Sequence, residues 1–228
     1  MDKFSLYVPN FLPCKEYFDP KKNNACPGCG LALAARHIYK AAGKLIEKAV
    51  WEKPAGGDLY GGKTGVSLLK IKQGKTEVTV CLDNESDGTL QDAVKKQMPA
   101  IAVAEGFKYV ATASPSYPFD LYDKMQRALD TEGKSYIHIL CPCPVGWQFD
   151  PEITVKVGRW AVESRAFSLY EAGSGFYSQT VRTLKPRQLS DYIKAQERFS
   201  RVTDKQLSDA GAVVEKEYSK LLENVQPE

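Results

Sequence analysis

Tyr136-Ile-His-Ile-Leu-Cys-Pro-Cys-Pro-Val-Gly-Trp147 runs from five strand-forming residues straight into a pair of cysteines. Tyr136–Leu140 lacks the polar alternation of a half-exposed strand, so it reads as a strand covered on both faces. Val78-Thr-Val-Cys-Leu82 and Tyr109-Val-Ala-Thr-Ala113 are built alike. Between the first two lies a stretch from about Leu90 to Glu105 that looks helical at both ends, with Pro99 placed to start a second helix. Between the last two, after a turn at Ser114–Pro118, Phe119–Leu129 is amphipathic at helical spacing. Strand, helix, strand, helix, strand with buried strands predicts an α/β fold with an open parallel sheet flanked by helices. In such sheets ligands gather beyond the carboxyl ends of the strands. Three clusters fall there: Asp83-Asn84-Glu85, Ser114-Pro115-Ser116 and Cys141-Pro142-Cys143.

Toward the N-terminus, Ala25-Cys-Pro-Gly-Cys-Gly30 opens a helix with apolar residues at Leu31, Ala34, Ala35, Ile38, Ala41, Ala42 and Leu45. Residues 1–24 read as an extended arm wrapping this chain or a partner, and Trp51–Gly65, rich in glycine, as a loop. Residues 25–150 form the α/β domain. Residues 151–228 form a C-terminal extension with a helix near Ile153–Ser164, a hairpin at Ser168–Val181 and polar helices at Leu189–Phe199 and Thr203–Leu222. The 228 residues carry a net charge of +3, from 31 basic and 28 acidic side chains, too balanced for an electrostatic nucleic-acid interface. No apolar run reaches the roughly 18 residues of a membrane span, and Met1–Leu6 does not resemble a secretory signal. A cytoplasmic chain without disulfides is therefore expected.

Six cysteines include a Cys-x-x-Cys pair, Cys26 and Cys29, and a Cys-x-Cys pair, Cys141 and Cys143; Cys14 and Cys81 stand alone. Two close pairs far apart in sequence suggest a site closed by folding. A Cys-x-x-Cys turn at a helix start gains from the positive helix end, and Gly28 and Gly30 offer tight turning and amide hydrogens to sulfur. Joined with Cys143, and with Cys141 as a candidate fourth ligand, these thiols suit an iron–sulfur cluster. A four-thiolate structural zinc is equally open, and a redox dithiol is a third reading.

Asp58 and Asn84 offer a carboxylate and an amide oxygen from two loops, a donor set that suits magnesium. Taken alone, a pair of turn residues is the plainer reading. Gly61-Gly-Lys-Thr64 resembles the end of a phosphate-binding loop, but no strand is read before it, so that reading is rejected. His37 and His138 read as structural histidines, and Ser114 and Ser116 lack a histidine–acid pattern for nucleophilic chemistry.

Together these segments resemble the beta subunit of pyruvate:ferredoxin oxidoreductase, the thiamine-diphosphate-binding chain of the 2-oxoacid:ferredoxin oxidoreductases. The carriers are Ala25–Gly30, Met98-Pro-Ala-Ile101 with Tyr109–Ser114, Tyr136–Trp147, Ala161-Val-Glu163, Leu169-Tyr-Glu171 and Leu189–Phe199, in the family's order and across most of 25–205. The resemblance implies a thiamine-diphosphate-binding-like fold, internally truncated. It implies oxidative decarboxylation of a 2-oxo acid, with pyruvate first in line, to acyl-CoA. Alpha-, gamma- and delta-type subunits would be partners and ferredoxin the electron acceptor. Cys26, Cys29 and Cys143 would hold a 4Fe-4S cluster, with Cys141 or Cys81 as the remaining candidate. Gly57-Asp58 and Asn84 would hold magnesium and the diphosphate.

The chain departs from the family in two places. Leu59 replaces the last glycine of a Gly-Asp-Gly motif. The segment before that motif, which in the family carries a further cluster cysteine, shrinks to about Gly43–Gly56, and the stretch after Asn84 is also short. Two alternatives follow: a degenerate subunit serving as scaffold or electron relay, and a zinc-stabilised interaction protein.

Overall fold

The continuously apolar runs do become strands covered on both faces. A computed structural model describes residues 12–19, 24–52, 65–85, 90, 98–173 and 175–225. Among them, the strands are β1 (Val50–Glu52), β2 (Val66–Gln73), β3 (Thr76–Asp83), β4 (Tyr109–Ala113), β5 (Gly133–Leu140), β6 (Tyr170–Gly173) and β7 (Phe176–Gln179). They form one sheet in the order β1-β2-β3-β5-β4-β6-β7. The helices are α1 (Gly30–Ala42), α2 (Met98–Ala104), α3 (Pro118–Asp130), α4 (Pro144–Trp147), α5 (Thr154–Glu163), α6 (Leu189–Lys194) and α7 (Asp204–Asn224).

The centre of the sheet is parallel: β3 pairs with β5 as far as Asp83 opposite Leu140, and β4 pairs with β5 as far as Ala113 opposite Ile139. All three carboxyl ends therefore leave on one edge. On one face α1 and α3 bury Val78, Val80, Leu82, Ala111, Ile137 and Ile139. On the other, Met98 and Ala102 of α2 pack with Val66, Leu68, Cys81, Val110 and Tyr136. With two apolar faces to fill, these strands cannot alternate.

Antiparallel strands extend the sheet at both edges. Trp51 and Glu52, read as the start of a loop, belong to β1 and pair with Leu69 and Leu68 of β2. β2 is a strand that the sequence pattern does not predict. It joins β3 through Gly74-Lys75, with Gly74 at φ +58, a conformation that glycine adopts without a Cβ penalty. The rejected phosphate-loop reading still fails, for a better reason: a strand does precede it, but β2 rather than a helix follows. The hairpin expected at Ser168–Val181 is β6–β7, and β6 pairs with β4, so the C-terminal third completes the sheet. The helix expected over Leu189–Phe199 stops at Lys194, with a separate 3-10 turn at Glu197–Phe199. Thr203 and Gln206 form the capping box that starts α7. Among the described residues no helix is long and apolar enough to cross a membrane.

Of the arm, residues 12–19 lie along α1. Glu16 pairs with Arg36 at 2.9 Å and with Lys40, and Phe18 meets Tyr39 edge to face. Two ion pairs, one of them buried, pin α3. Lys124 Nζ donates to Asp120 Oδ2 (2.7 Å), Thr180 Oγ1 (2.7 Å) and the Thr112 carbonyl (2.8 Å). Glu171 accepts from Tyr109 Oη at 2.7 Å and pairs with Arg127.

The two histidines differ. His138 has partners, with Nδ1 3.0 Å from Tyr136 Oη and Nε2 3.6 Å from Asp83 Oδ2. His37 does not fit the satisfied structural reading, because its Nδ1 is buried without a partner. Burial first, then Arg36 and Lys40, lower its pKa from 6.5 to about 4. Between those values the unfolded chain takes up a proton that the folded chain refuses, so stability falls as pH falls through that window. Discounted for partial exposure, the loss is about 1–2 kcal/mol at pH 5. Urea midpoints at pH 7 and pH 5 should show it, and His37→Gln should flatten the difference; an unchanged difference in that variant would assign the loss elsewhere.

Candidate functional site

The Cys26–Cys29 turn closes with Cys29 N–H donating to the Cys26 carbonyl at 3.2 Å. Gly28 sits at φ +66, and a Cβ there would lie 2.6 Å from the Pro151 carbonyl oxygen, so both conformation and space demand glycine. Cys29 is the residue before α1, facing the helix's positive end; it is half-buried and Cys26 is exposed.

The second cysteine turn leaves β5. Cys141 N–H donates to the Asp83 carbonyl at 2.8 Å, which carries the β3–β5 pairing one step past the sheet. Its side chain is wholly buried, its thiol donates to the Ile139 carbonyl at 3.5 Å, and burial pushes the thiol pKa well up. Cys143 is half-buried, and its sulfur accepts the Gly146 N–H at 3.3 Å.

One backbone bond joins the two turns: Gly30 N–H donates to the Pro142 carbonyl at 3.0 Å. They meet so closely that a Cβ on Gly30 would run into Pro142 and Cys141 backbone atoms. The start of α5 closes the junction. Thr154 Oγ1 donates to the Gly28 carbonyl at 2.7 Å, and Gly158 sits against Ser116 Oγ and the Pro142 ring. Asn84 borders the same edge. Its N–H donates to the Gly65 carbonyl at 3.0 Å, and its carbonyl accepts Trp147 Nε1 at 2.6 Å.

Cys26, Cys29, Gly28, Gly30, Cys141, Cys143 and Asn84 are thus neighbours on one rim. Gly57 and Asp58 lie outside the described residues. Cys81 is buried within β3, on the α2 side. Cys26, Cys29 and Cys143 are the thiols with access to solvent here, and their chemistry suits iron–sulfur or zinc. Among the described residues, however, no three His, Cys, Asp or Glu side chains gather as a metal-binding group. Sequence reading missed Trp147, Thr154 and Gly158. Gly158 alone left a signal, since a glycine inside an amphipathic helix marks close packing.

Fold and rim together define an α/β chain of thiamine-diphosphate-binding-like architecture, with thiols at the carboxyl edge of its sheet. No protein-family model matches the sequence. It is 31% identical over 213 residues to the pyruvate synthase subunit PorB of Methanocaldococcus jannaschii, covering 82% of this chain and 72% of that protein. The chain belongs to the beta-subunit family of the 2-oxoacid:ferredoxin oxidoreductases. PorB of Methanothermobacter marburgensis is 46% identical over 116 residues, 51% of this chain and 40% of that protein. The ketoisovalerate oxidoreductase subunit VorB of Pyrococcus abyssi is 31% identical over 134 residues, 58% of this chain and 43% of that protein. The chain thus spans well under two thirds of the length of several relatives. The 213-residue alignment is also longer than the part of this chain that it uses, so the Methanocaldococcus protein carries residues inside the matched span that this chain lacks.

Proposed function

We propose that this chain is the beta subunit of a cytoplasmic 2-oxoacid:ferredoxin oxidoreductase, acting on pyruvate and assembled with alpha-, gamma- and delta-type subunits. In that role Cys26, Cys29 and Cys143 hold a 4Fe-4S cluster that passes electrons toward ferredoxin. Cys141 joins them only by leaving the core. Asp58 and Asn84 orient magnesium and the diphosphate of thiamine diphosphate, which supplies the electron sink for decarboxylation when bound. The carrying observation is the Gly30–Pro142 backbone bond, which sets a Cys-x-x-Cys turn beside a Cys-x-Cys turn at the strand ends. Cys29 precedes the first turn of α1, and Cys143 Sγ accepts the Gly146 N–H, so both sulfurs lie against backbone amides.

The scaffold or electron-relay reading keeps one specific support, the internal shortening relative to the Methanocaldococcus relative. Anaerobic isolation of the chain with its partner subunits separates the readings. Iron with acid-labile sulfide, bound thiamine diphosphate and pyruvate-dependent reduction of ferredoxin are expected. Iron without thiamine diphosphate would favour the relay, and zinc would sink both. Cys29→Ser and Cys143→Ser should each lose most of the iron.

A further inference from the structure

Glu85 holds φ +46, a left-handed backbone that a non-glycine residue adopts only when its surroundings impose it. Its surroundings do. Asp83 Oδ1 accepts the Glu85 N–H at 2.8 Å, and His138 stands 3.6 Å from the other Asp83 oxygen. Gly65 takes the Asn84 N–H. The remaining two ties come from much later in the chain: Trp147 Nε1 donates to the Asn84 carbonyl at 2.6 Å, and Arg198 Nη1 donates to the Glu85 carbonyl at 2.6 Å. These two donors also hold each other, because the Arg198 guanidinium lies 4.5 Å from the centroid of the Trp147 ring. Gln196 Oε1 takes two further Arg198 N–H groups, at 3.0 and 2.8 Å, which fixes the fork. Trp147 is fully buried, and its backbone N–H donates to the Cys143 carbonyl at 2.8 Å.

We infer that Trp147 and Arg198 are positioning residues: they clamp the strained Asp83–Glu85 turn so that Asn84 is presented in one orientation to magnesium and diphosphate. Through Cys143, Trp147 also fixes the distance from that turn to the cysteine rim. The inference rests on the function proposed above. Each carbonyl of the turn has a designated donor on a separate element, whereas a turn serving only to end β3 would need neither. Outer partners of this kind commonly tune metal affinity 10- to 100-fold without touching the metal.

The test uses the full chain in its anaerobic complex and measures equilibrium binding of thiamine diphosphate at fixed magnesium. Trp147→Phe keeps the ring and removes the indole N–H. Arg198→Met keeps much of the stem and removes the donors, and Arg198→Lys restores one cationic donor. Trp147→Phe and Arg198→Met are expected to weaken binding about tenfold, with Arg198→Lys between Arg198→Met and wild type, and iron and sulfide per chain unchanged. Val214→Ala, in the α7 contact with the core, controls for general loosening and should lower the melting temperature without moving the affinity. Unchanged affinity in both Trp147→Phe and Arg198→Met, with wild type binding normally, overturns the clamp while leaving the proposed function intact. Affinity that merely tracks melting temperature, Val214→Ala included, also overturns it. A wild-type complex that binds no thiamine diphosphate overturns both readings.

Discussion

Replacing Gly30 with alanine is expected to cost about 3 kcal/mol of stability and, under the function proposed above, to strip most of the iron from the complex. Helix propensity alone argues the opposite sign, since alanine is favoured over glycine within a helix by about 1 kcal/mol. Sterics decide. The new Cβ would meet the Pro142 carbonyl oxygen, the Pro142 nitrogen at 2.7 Å and the Cys141 carbonyl carbon at 2.9 Å. All are backbone atoms that cannot rotate aside, so the turns must separate and the Gly30–Pro142 hydrogen bond is lost with them. Gly211, within α7, is the matched control because a Cβ there meets nothing within 4 Å. Gly211→Ala should gain about 0.5–1 kcal/mol. Denaturant unfolding with iron analysis reads both; a Gly30→Ala variant as stable and as iron-loaded as wild type would show that the junction is looser than described.

A larger loss is expected from Asp120→Asn, about 3–5 kcal/mol. Lys124 is 1% exposed, and Asp120 is its carboxylate partner. Asparagine keeps the shape and removes the charge, which leaves a buried ammonium with neutral acceptors only and no paired carboxylate. Burial already pulls the Lys124 pKa below the usual lysine range, and Asp120 pulls it back up. Without Asp120 the folded chain releases this proton more readily while the unfolded chain keeps it to about pH 10.4. The variant should therefore regain stability as pH rises toward that value, because its unfolded state then binds more protons than its folded state. Adding Lys124→Met should recover part of the loss at neutral pH, and a double-mutant cycle measures the coupling. Strict additivity of the two substitutions would show that the pair does not interact.

The parallel centre was legible because burial on both faces leaves one sequence signature: Val78–Leu82, Tyr109–Ala113 and Tyr136–Leu140 carry almost no polar residues. β2 was not, since Lys70 and Lys72 break its apolar pattern toward the edge, where one face is wet. Gly74-Lys75 was nonetheless a readable hairpin signal. At the rim, the paired cysteines and Gly28 and Gly30 stood out, because spacing and residue type carry thiol chemistry locally. The Trp147–Asn84 and Arg198–Glu85 contacts did not: they join residues 63 and 113 positions apart, and no local pattern records such a pairing. Nor does any spacing foretell that Cys141 turns into the core while Cys143 turns outward, a choice made by where β5 ends.

The bond from Thr154 to the Gly28 carbonyl spans 126 residues. On a ribosome adding about 5–20 residues per second, the Cys26–Cys29 turn emerges many seconds before the segment that braces it. Until then its thiols stand open to stray metals and oxidants. A cluster of the kind proposed would therefore be seated only on the finished polypeptide, after Thr154 has closed the junction.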